Sequence, residues 1–383
     1  MYNNKLFRGS ISALALAVAS SASALELNVA DTKAQLYGYG KLDFIYDVDA
    51  DLGPLVTHSK IRLDGADGPD GHTNLQAIQS RLGVKTATDT AMGEVKTVIE
   101  GDFYGNGGGS FRLRHAYGEW NGLLAGQTWS NFGNFLGTTP TIDFLGQVGQ
   151  TVIARQTQLR YTTGGLSVAL EDPGTLGGSA ALLPIAGNPA PDATIENNLP
   201  DLTAQYKMTA GAVSLAVSGV ARQLSIYNAG NDDEESTFGY GAGLSAKIAL
   251  SEGLSIQGSM VYGDGIGGYL YGNPGAPAYY DSASGDVEAV TAYGGTLGLS
   301  ADMGPGSFNL GYGLAQADWD DAEDAGMDLS SQNEQFSSIY ANYIWSPIGG
   351  VTYGIEAGLH SRETVSGDDG DAVRIQGMAQ YSF

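Results

Sequence analysis

Two regularities, read together, leave this chain few folds. From residue 35 to the end, residues alternate apolar and polar with period two. The connections between the alternating runs alternate between short and long. In the first run Leu36, Leu42, Phe44 and Tyr46 share a face with Gly38 and Gly40, while Tyr37, Tyr39, Lys41 and Asp43 share the other. The next has Ile78, Leu82 and Val84 against Gln79, Arg81 and Lys85, and the third has Val95, Thr97, Ile99 and Phe103 against Glu94, Lys96, Glu100 and Asp102. Period-two alternation marks strands with one apolar and one polar face. Short turns fall near Asp89, at Asn121-Gly122 and Gly164-Gly165, and around Gly211, Glu252, Pro305 and Ile348. Long polar connections span 48–73, 173–199, 225–236, 264–286, 318–333 and 364–371. About sixteen runs result, each as long as a tilted membrane strand. The pattern predicts an all-β chain: a transmembrane antiparallel β-barrel of about sixteen strands, with short turns at one end and long loops at the other.

The N-terminus agrees with export. Lys5 and Arg8 precede an apolar run from Ile11 to Ala19, followed by Ala22-Ser23-Ala24. That is a charged region, an apolar region and a small-residue cleavage site, so 1–24 reads as a signal peptide. Residues 25–34 read as a short periplasmic lead, and 35–383 as the barrel. No apolar run approaches the roughly 20 residues of a spanning helix. With 0 cysteines there is no disulfide framework and no thiol chemistry. A net charge of -24 argues against nucleic acid as a partner, since phosphate binding needs a basic surface.

Around the Asn121-Gly122 hairpin the pattern changes. FRLRHAYGEW and LLAGQTW flank Asn121-Gly122, the strongest short hairpin signal. The connection 130–154 then runs 25 residues before RQTQLRYTT, too long to be passive in a compact domain. It carries Phe132, Phe135, Ile142, Phe144, Leu145, Val148 and Ile153, which need burial. In a barrel the only interior is the lumen, so 130–154 is expected to fold inward as a constriction loop.

The cations fix the phase. Of the 18 Lys and Arg residues, Lys5 and Arg8 lie in the signal region, and Lys33, Lys60, Arg62 and Arg155 in the lead and loops. The others all fall opposite the apolar face: Lys41, Arg81, Lys85, Lys96, Arg112, Arg114, Arg160, Lys207, Arg222, Lys247, Arg362 and Arg374. A Lys or Arg facing mid-bilayer lipid costs about 2–4 kcal/mol, so they must face the lumen. Acids crowd the long loops, as in Asp47, Asp49 and Asp51, or 232–235. Rings of charge inside a pore set its selectivity, so a cationic lumen implies passage of anions. His115 and Glu119 break the pattern by falling on the apolar phase of their strand. That places them near a membrane edge or a subunit contact, unless the phase shifts there.

RLRHAYGEW, GQTWSNF and RQTQLRYT, followed by LSVALEDP and preceded by SRLGVKT and VKTVIEGDFYG, resemble the DcaP-like family of trimeric outer-membrane porins. The resemblance covers 35–383 and is densest between Ser80 and Pro173. It implies a sixteen-stranded barrel in the bacterial outer membrane, a homotrimer amid lipid and lipopolysaccharide, and small anionic solutes such as dicarboxylates. Arg81, Arg112, Arg114, Arg155 and Arg160 match family motifs and would line the pore, joined on phase by Lys41, Lys85, Lys96, Arg222, Arg362 and Arg374. The aromatic terminus Phe383 resembles the signal by which barrel-assembly machinery takes up such chains. Several family members carry a coiled coil before the barrel, for which 25–34 leaves no room.

Other readings remain in play. Arg112 and Arg114 could bind anions, or could pair with Glu100 and Asp102 to pin the loop. Asp47, Asp49 and Asp51 recur as in an EF-hand, but Leu52 and His58 stand where Gly and Glu are required. A looser Ca²⁺ site among the loop acids is an alternative to solvated charges; no other cofactor is implied. NGGGS at 106–110 lacks the lysine of a phosphate loop. His58, His72, His115 and His360 lack metal-ligand spacing. An enzyme within a barrel would need a nucleophile beside an oriented histidine, which no motif supplies. A general diffusion porin and a soluble β adhesin are the remaining rivals.

Overall fold

The computed structural model describes residues 25–174, 176, 193–228, 232–281 and 284–383; the proposed signal peptide and much of 173–199 lie outside them. The sheet is a closed antiparallel barrel. Its sixteen strands are β1 Thr32–Asp47, β2 in two segments His72–Gln76 and Arg81–Thr90, β3 Gly93–Gly105, β4 Ser110–Trp120, β5 Leu123–Trp129, β6 Arg155–Thr163, β7 Leu166–Glu171 and β8 Asp201–Ala210, then β9 Val213–Asn228, β10 Asp233–Ser251, β11 Leu254–Asp264, β12 Thr291–Met303, β13 Gly306–Ala317, β14 Asn333–Ile348, β15 Val351–Thr364 and β16 Asp369–Ser382. Closure comes from β1 pairing with β16, in the register Gly40 to Tyr381 and Asp47 to Arg374.

Outside β4 the period-two phase holds. Leu42, Phe44, Leu159, Leu244, Met260, Leu297 and Ile355 stand exposed on the outer face, forming the apolar band a bilayer requires. Lys41, Arg114, Arg222 and Arg374 are buried inside. Near the short-turn end the outer face carries an aromatic group: Tyr343 stacks on Trp345 at 5.5 Å, and Trp345 lies 5.9 Å from Tyr353. Such rings suit a membrane interface. At the first short turn whose sequence is diagnostic, Asn121 and Gly122 both take positive φ, 49° and 83°, as a type I′ hairpin requires.

Three details differ from the sequence reading. First, 25–34 is not an irregular lead: Leu25–Val29 is a strand that folds back on β1, pairing Leu25 with Leu36. Second, the connection read as 225–236 is far shorter, because β9 and β10 stay paired out to Asn228 and Asp233. A second outer connection, 106–109, is also short, so the loop end mixes long and short links. Third, the phase of β4 inverts midway. Glu100 pairs with His115 but Gly101 pairs with Leu113, leaving Arg114 as an extra residue. This β-bulge turns both Arg114 and His115 inward, and everything after it changes face. Tyr117 and Glu119 therefore join the lumen side, while Trp120 is exposed. The anomaly of His115 and Glu119 is a bulge, not a membrane edge.

Candidate functional site: the pore constriction

The third loop, 130–154, lies inside the barrel against the wall formed by β8 and β11–β15. Its backbone is held by neutral side chains rising from that wall. Gln205 donates to the carbonyls of Phe132 and Gly133 at 3.3 and 3.1 Å. Gln257 reaches Thr139 Oγ1 at 3.3 Å, and Asn342 donates to the Pro140 carbonyl at 2.8 Å. Buried Glu356 accepts the backbone N–H groups of Ile142 and Asp143, both at 2.8 Å. The wall is paved with glycine, so the loop lies flush. A Cβ on Gly313 would sit 2.2 Å from the Val148 carbonyl oxygen, and one on Gly149 2.0 Å from that of Leu314. Phe132, Val148 and Val152 complete the seat in an apolar cluster with Ile266, Tyr269 and Leu270. Asp143 is the loop's single ionisable residue, and it is buried.

The base of the loop is fixed by a second network. Glu171 on β7 accepts Ser130 Oγ at 2.9 Å and Tyr269 Oη at 3.1 Å, as well as the Asn131 N–H, which is closer still. Tyr269 also lies 3.0 Å from Asp201. Arg222 meets Asp201 at 3.2 Å and donates to the carbonyls of Pro173, Leu176 and Ile266.

The opposite wall, β1–β6, faces the loop with charge and rings. Arg112 grips Asp102 with two parallel bonds, Nε to Oδ1 at 3.0 Å and Nη2 to Oδ2 at 2.8 Å. Arg114 reaches Glu100 at 2.8 Å and Asp102 at 2.9 Å, and Arg81 lies 3.4 Å from Glu100. The Arg114 guanidinium also sits 5.6 Å from the Trp129 ring and 5.4 Å from that of Phe144 in the loop. Arg155 lies over the other side of this cluster, 5.1 Å from the Trp129 ring. Among the described residues no carboxylate approaches it within 4.0 Å. Four arginines thus meet two carboxylates. All four match family motifs named above.

The remaining cations named from sequence divide by task. Lys41 pairs with Asp43 at 2.9 Å and donates to the Ile142 carbonyl at 3.3 Å, pinning the tip of the loop. Arg374 holds Asp47 at 2.6 and 2.8 Å and the Gly53 carbonyl at 2.6 Å, while Arg362 donates to the carbonyls of Ser59 and Ile61. These two fasten the first loop. Arg222 fastens the loop base described above. Lys96 is half exposed and lies 3.2 Å from Glu94, next to the short-turn end. Lys85 sits 5.7 Å from the Tyr37 ring. Arg160 is half-buried on the same wall. Among the described residues neither Lys85 nor Arg160 has an ion-pair partner within 4.0 Å.

Sequence reasoning did not single out the rings. Tyr39 and Tyr104 lie under Arg81 and Arg112 at 5.2 and 5.4 Å. Their signal was present, since Tyr39 falls on the lumen phase of β1. The acids of the first loop serve the fold: Asp49 accepts the Val373 N–H at 2.9 Å and Asp51 that of Gly53 at 2.9 Å. Among the described residues no three or more His, Cys, Asp or Glu side chains group so as to hold a metal ion. One triad-like line exists: Thr128 Oγ1 is 3.0 Å from His115 Nδ1, and His115 Nε2 is 3.9 Å from Glu100. Thr128 is only 6% exposed.

The profile of the DcaP outer membrane protein family matches residues 3–383. The crystal structure of the outer membrane channel DcaP of Acinetobacter baumannii is 26% identical, with a TM-score of 0.79, covering 93% of this chain and 99% of that one. OmpT, an outer membrane protein of Vibrio cholerae, is similar in fold at 10% identity and a TM-score of 0.55, covering 94% of this chain and 99% of its own. The anion-selective porin from Comamonas acidovorans is similar in fold at 13% identity and a TM-score of 0.56, covering 92% of this chain and 100% of its own. Among curated proteins no match is found. A sixteen-stranded barrel with a loop seated inside it, matched over nearly its whole length, belongs to the DcaP outer membrane protein family and is a porin channel of the bacterial outer membrane.

Proposed function

We propose that this channel admits small hydrophilic solutes by passive diffusion and prefers anions, dicarboxylates among them. One observation carries the reading: Arg81, Arg112, Arg114 and Arg155 surround only Glu100 and Asp102 on the wall facing the loop. Positive charge is therefore in excess on the wall that faces the loop. Arginine stays ionised at any relevant pH and can donate two parallel N–H bonds to a carboxylate. A diacid can bridge Arg155 and a second arginine without any catalytic group. The deciding measurement is the reversal potential of the purified protein in a planar bilayer under a KCl gradient. Chloride preference is expected, reduced severalfold by Arg155→Gln. Potassium preference in the wild type would overturn the reading.

A second reading, a general diffusion porin, draws support from the pairing of Lys41, Arg112, Arg114, Arg222 and Arg374 with carboxylates. The same measurement separates the two, since a general porin would show little preference. Assembly as a homotrimer in lipopolysaccharide-bearing membrane, after delivery through Phe383, belongs to the same proposal. Native mass spectrometry showing only monomers would count against it. The proposal includes no catalytic activity.

A further inference from the structure

The third loop is joined by a second segment of chain. Beyond β11, residues 265–273 run beside its returning limb. The Gly149 N–H donates to the Tyr271 carbonyl at 2.8 Å, that of Val152 to Tyr269 at 3.1 Å, and that of Tyr271 back to Gln150 at 3.0 Å. Tyr269 is 0% exposed and packs edge-on against Phe132 at 5.4 Å. Its hydroxyl leaves a hydrogen unaccounted for. Oη lies 3.1 Å from Glu171 Oε2 and 3.0 Å from Asp201 Oδ2, yet a phenol has one hydrogen and donates to one acceptor. Burial first, and then the two carboxylates, hold this hydroxyl well above its ordinary pKa, so the phenol keeps its hydrogen. The remaining oxygen–oxygen contact is repulsive unless a carboxyl supplies a second one. Glu171 already accepts from Ser130, Asn131 and Thr203. Asp201 meets Arg222 at 3.2 Å, and among the described residues its Oδ1 has no hydrogen-bond partner. Both carboxyl groups are buried, and among the described residues Arg222 is the one cation within 4.0 Å of either.

We propose that Asp201 carries this second hydrogen at neutral pH, in a chain from Asp201 Oδ2 through Tyr269 Oη to Glu171, and that the shared proton locks residues 265–273 to the base of the third loop. Tyr269 is then a positioning residue of the constriction, acting on residues 130–132 rather than on solutes. Carboxylates crowded onto one site keep a proton between them, because both cannot ionise at once. Opened to water, the same two acids both ionise in the ordinary carboxylate range, near pH 4. The locked state therefore binds one proton more than the open one. The lock weakens by about tenfold per pH unit above that range, and levels off where the locked pair itself gives up its proton. Facing the cluster are Arg222 from β9, Arg160 from β6 and Asp172 beside Glu171. Residues 130–136 and 265–273 add no charged side chain.

The test uses the full-length protein in detergent and in planar bilayers. Infrared difference spectra of the wild type against Asp201→Asn at neutral pH should show the carbonyl stretch of a protonated carboxyl that the variant lacks. Amide exchange at residues 130–132 and 269–271, corrected for its intrinsic rate, should lose protection by about tenfold per pH unit between about pH 5 and 7 in the wild type. Asp201→Asn, which leaves Arg222, Arg160 and Asp172 in place, should remove that slope. Tyr269→Phe is the second variant if Asp201→Asn does not fold. It keeps the ring against Phe132 but not the hydroxyl. It should shift the carbonyl band, lower protection at 130–132 by about tenfold and raise the noise of the open-channel current. The proposal is overturned by the absence of a protonated-carboxyl band in the wild type, by protection that does not change with pH, or by a folded Tyr269→Phe channel with wild-type band and protection. A role in packing alone would leave band, slope and noise unmoved by that substitution.

Discussion

The two inner walls of the barrel solve opposite problems. On β8 and β11–β15 the task is to seat a 25-residue loop without leaving polar backbone unpaired. That wall uses neutral amides and hydroxyls, glycine where the loop must come close, and one carboxylate, Glu356, to accept two N–H groups. On β1–β6 the task is to keep charge in an open passage. There carboxylates are placed between arginines, and rings cover one guanidinium face. Neutral hydrogen bonds hold a segment still with little electrostatic cost, whereas a buried charge must be paired to be tolerated at all. The difference shows which cations can act on solutes: those that the loops do not already consume.

Removing residues 133–149 should abolish the distinction outright. Single-channel conductance is expected to rise severalfold, and an unchanged conductance in a folded deletion would put the loop outside the passage. Next in size is Arg114→Ala, which leaves Glu100 and Asp102 short of their buried partner. Breaking such a pair costs on the order of 3–5 kcal/mol, so the temperature of heat-modified gel migration should fall sharply. Arg112→Ala should do much less, because its side chain is 34% exposed. Similar losses for both would show that the arginine wall is braced uniformly.

The first loop offers a third probe, through pH. His58 is buried, stacks on Phe336 at 5.1 Å and hydrogen-bonds the Ser337 carbonyl at 3.2 Å. Burial lowers its pKa from 6.5 to about 4. The released loop binds the proton at higher pH than the docked loop does. Docking is therefore fully stable above about pH 6.5 and loses stability as pH falls toward 4, by roughly 3 kcal/mol in all. Hydrogen exchange in residues 48–71 should rise over that window in the wild type and rise much less in His58→Phe, in which the neighbouring buried His360, 5.3 Å from His58, remains. The smallest effect is expected from Glu356→Gln, which turns one acceptor into a donor facing a backbone N–H, at about 1–2 kcal/mol. Exchange should quicken at Ile142 and Asp143, with the reversal potential nearly unchanged.

Much of this was legible from residues alone. Alternation placed the strands, Asn121-Gly122 the hairpin, and the apolar content of 130–154 its inward fold. Two things were not legible. The extra residue at Arg114 leaves no compositional mark, so the phase of Tyr117 and Glu119 could be known only from the pairing of β3 with β4. Nor does a sequence reveal which arginines are spoken for: Arg374 and Asp47 are 327 positions apart and meet only because the barrel closes. A lumen phase is a local property, while a free charge is a property of the whole ring of strands.

The scarcity of charge on the third loop reaches beyond its packing. A transmembrane voltage acts on charge, supplying about 2.3 kcal/mol per elementary charge moved through 100 mV. Asp143 is the only charge the loop could carry through that field, and it sits buried, with its N–H held by Glu356. A field of physiological size therefore has almost nothing to pull on in the loop itself.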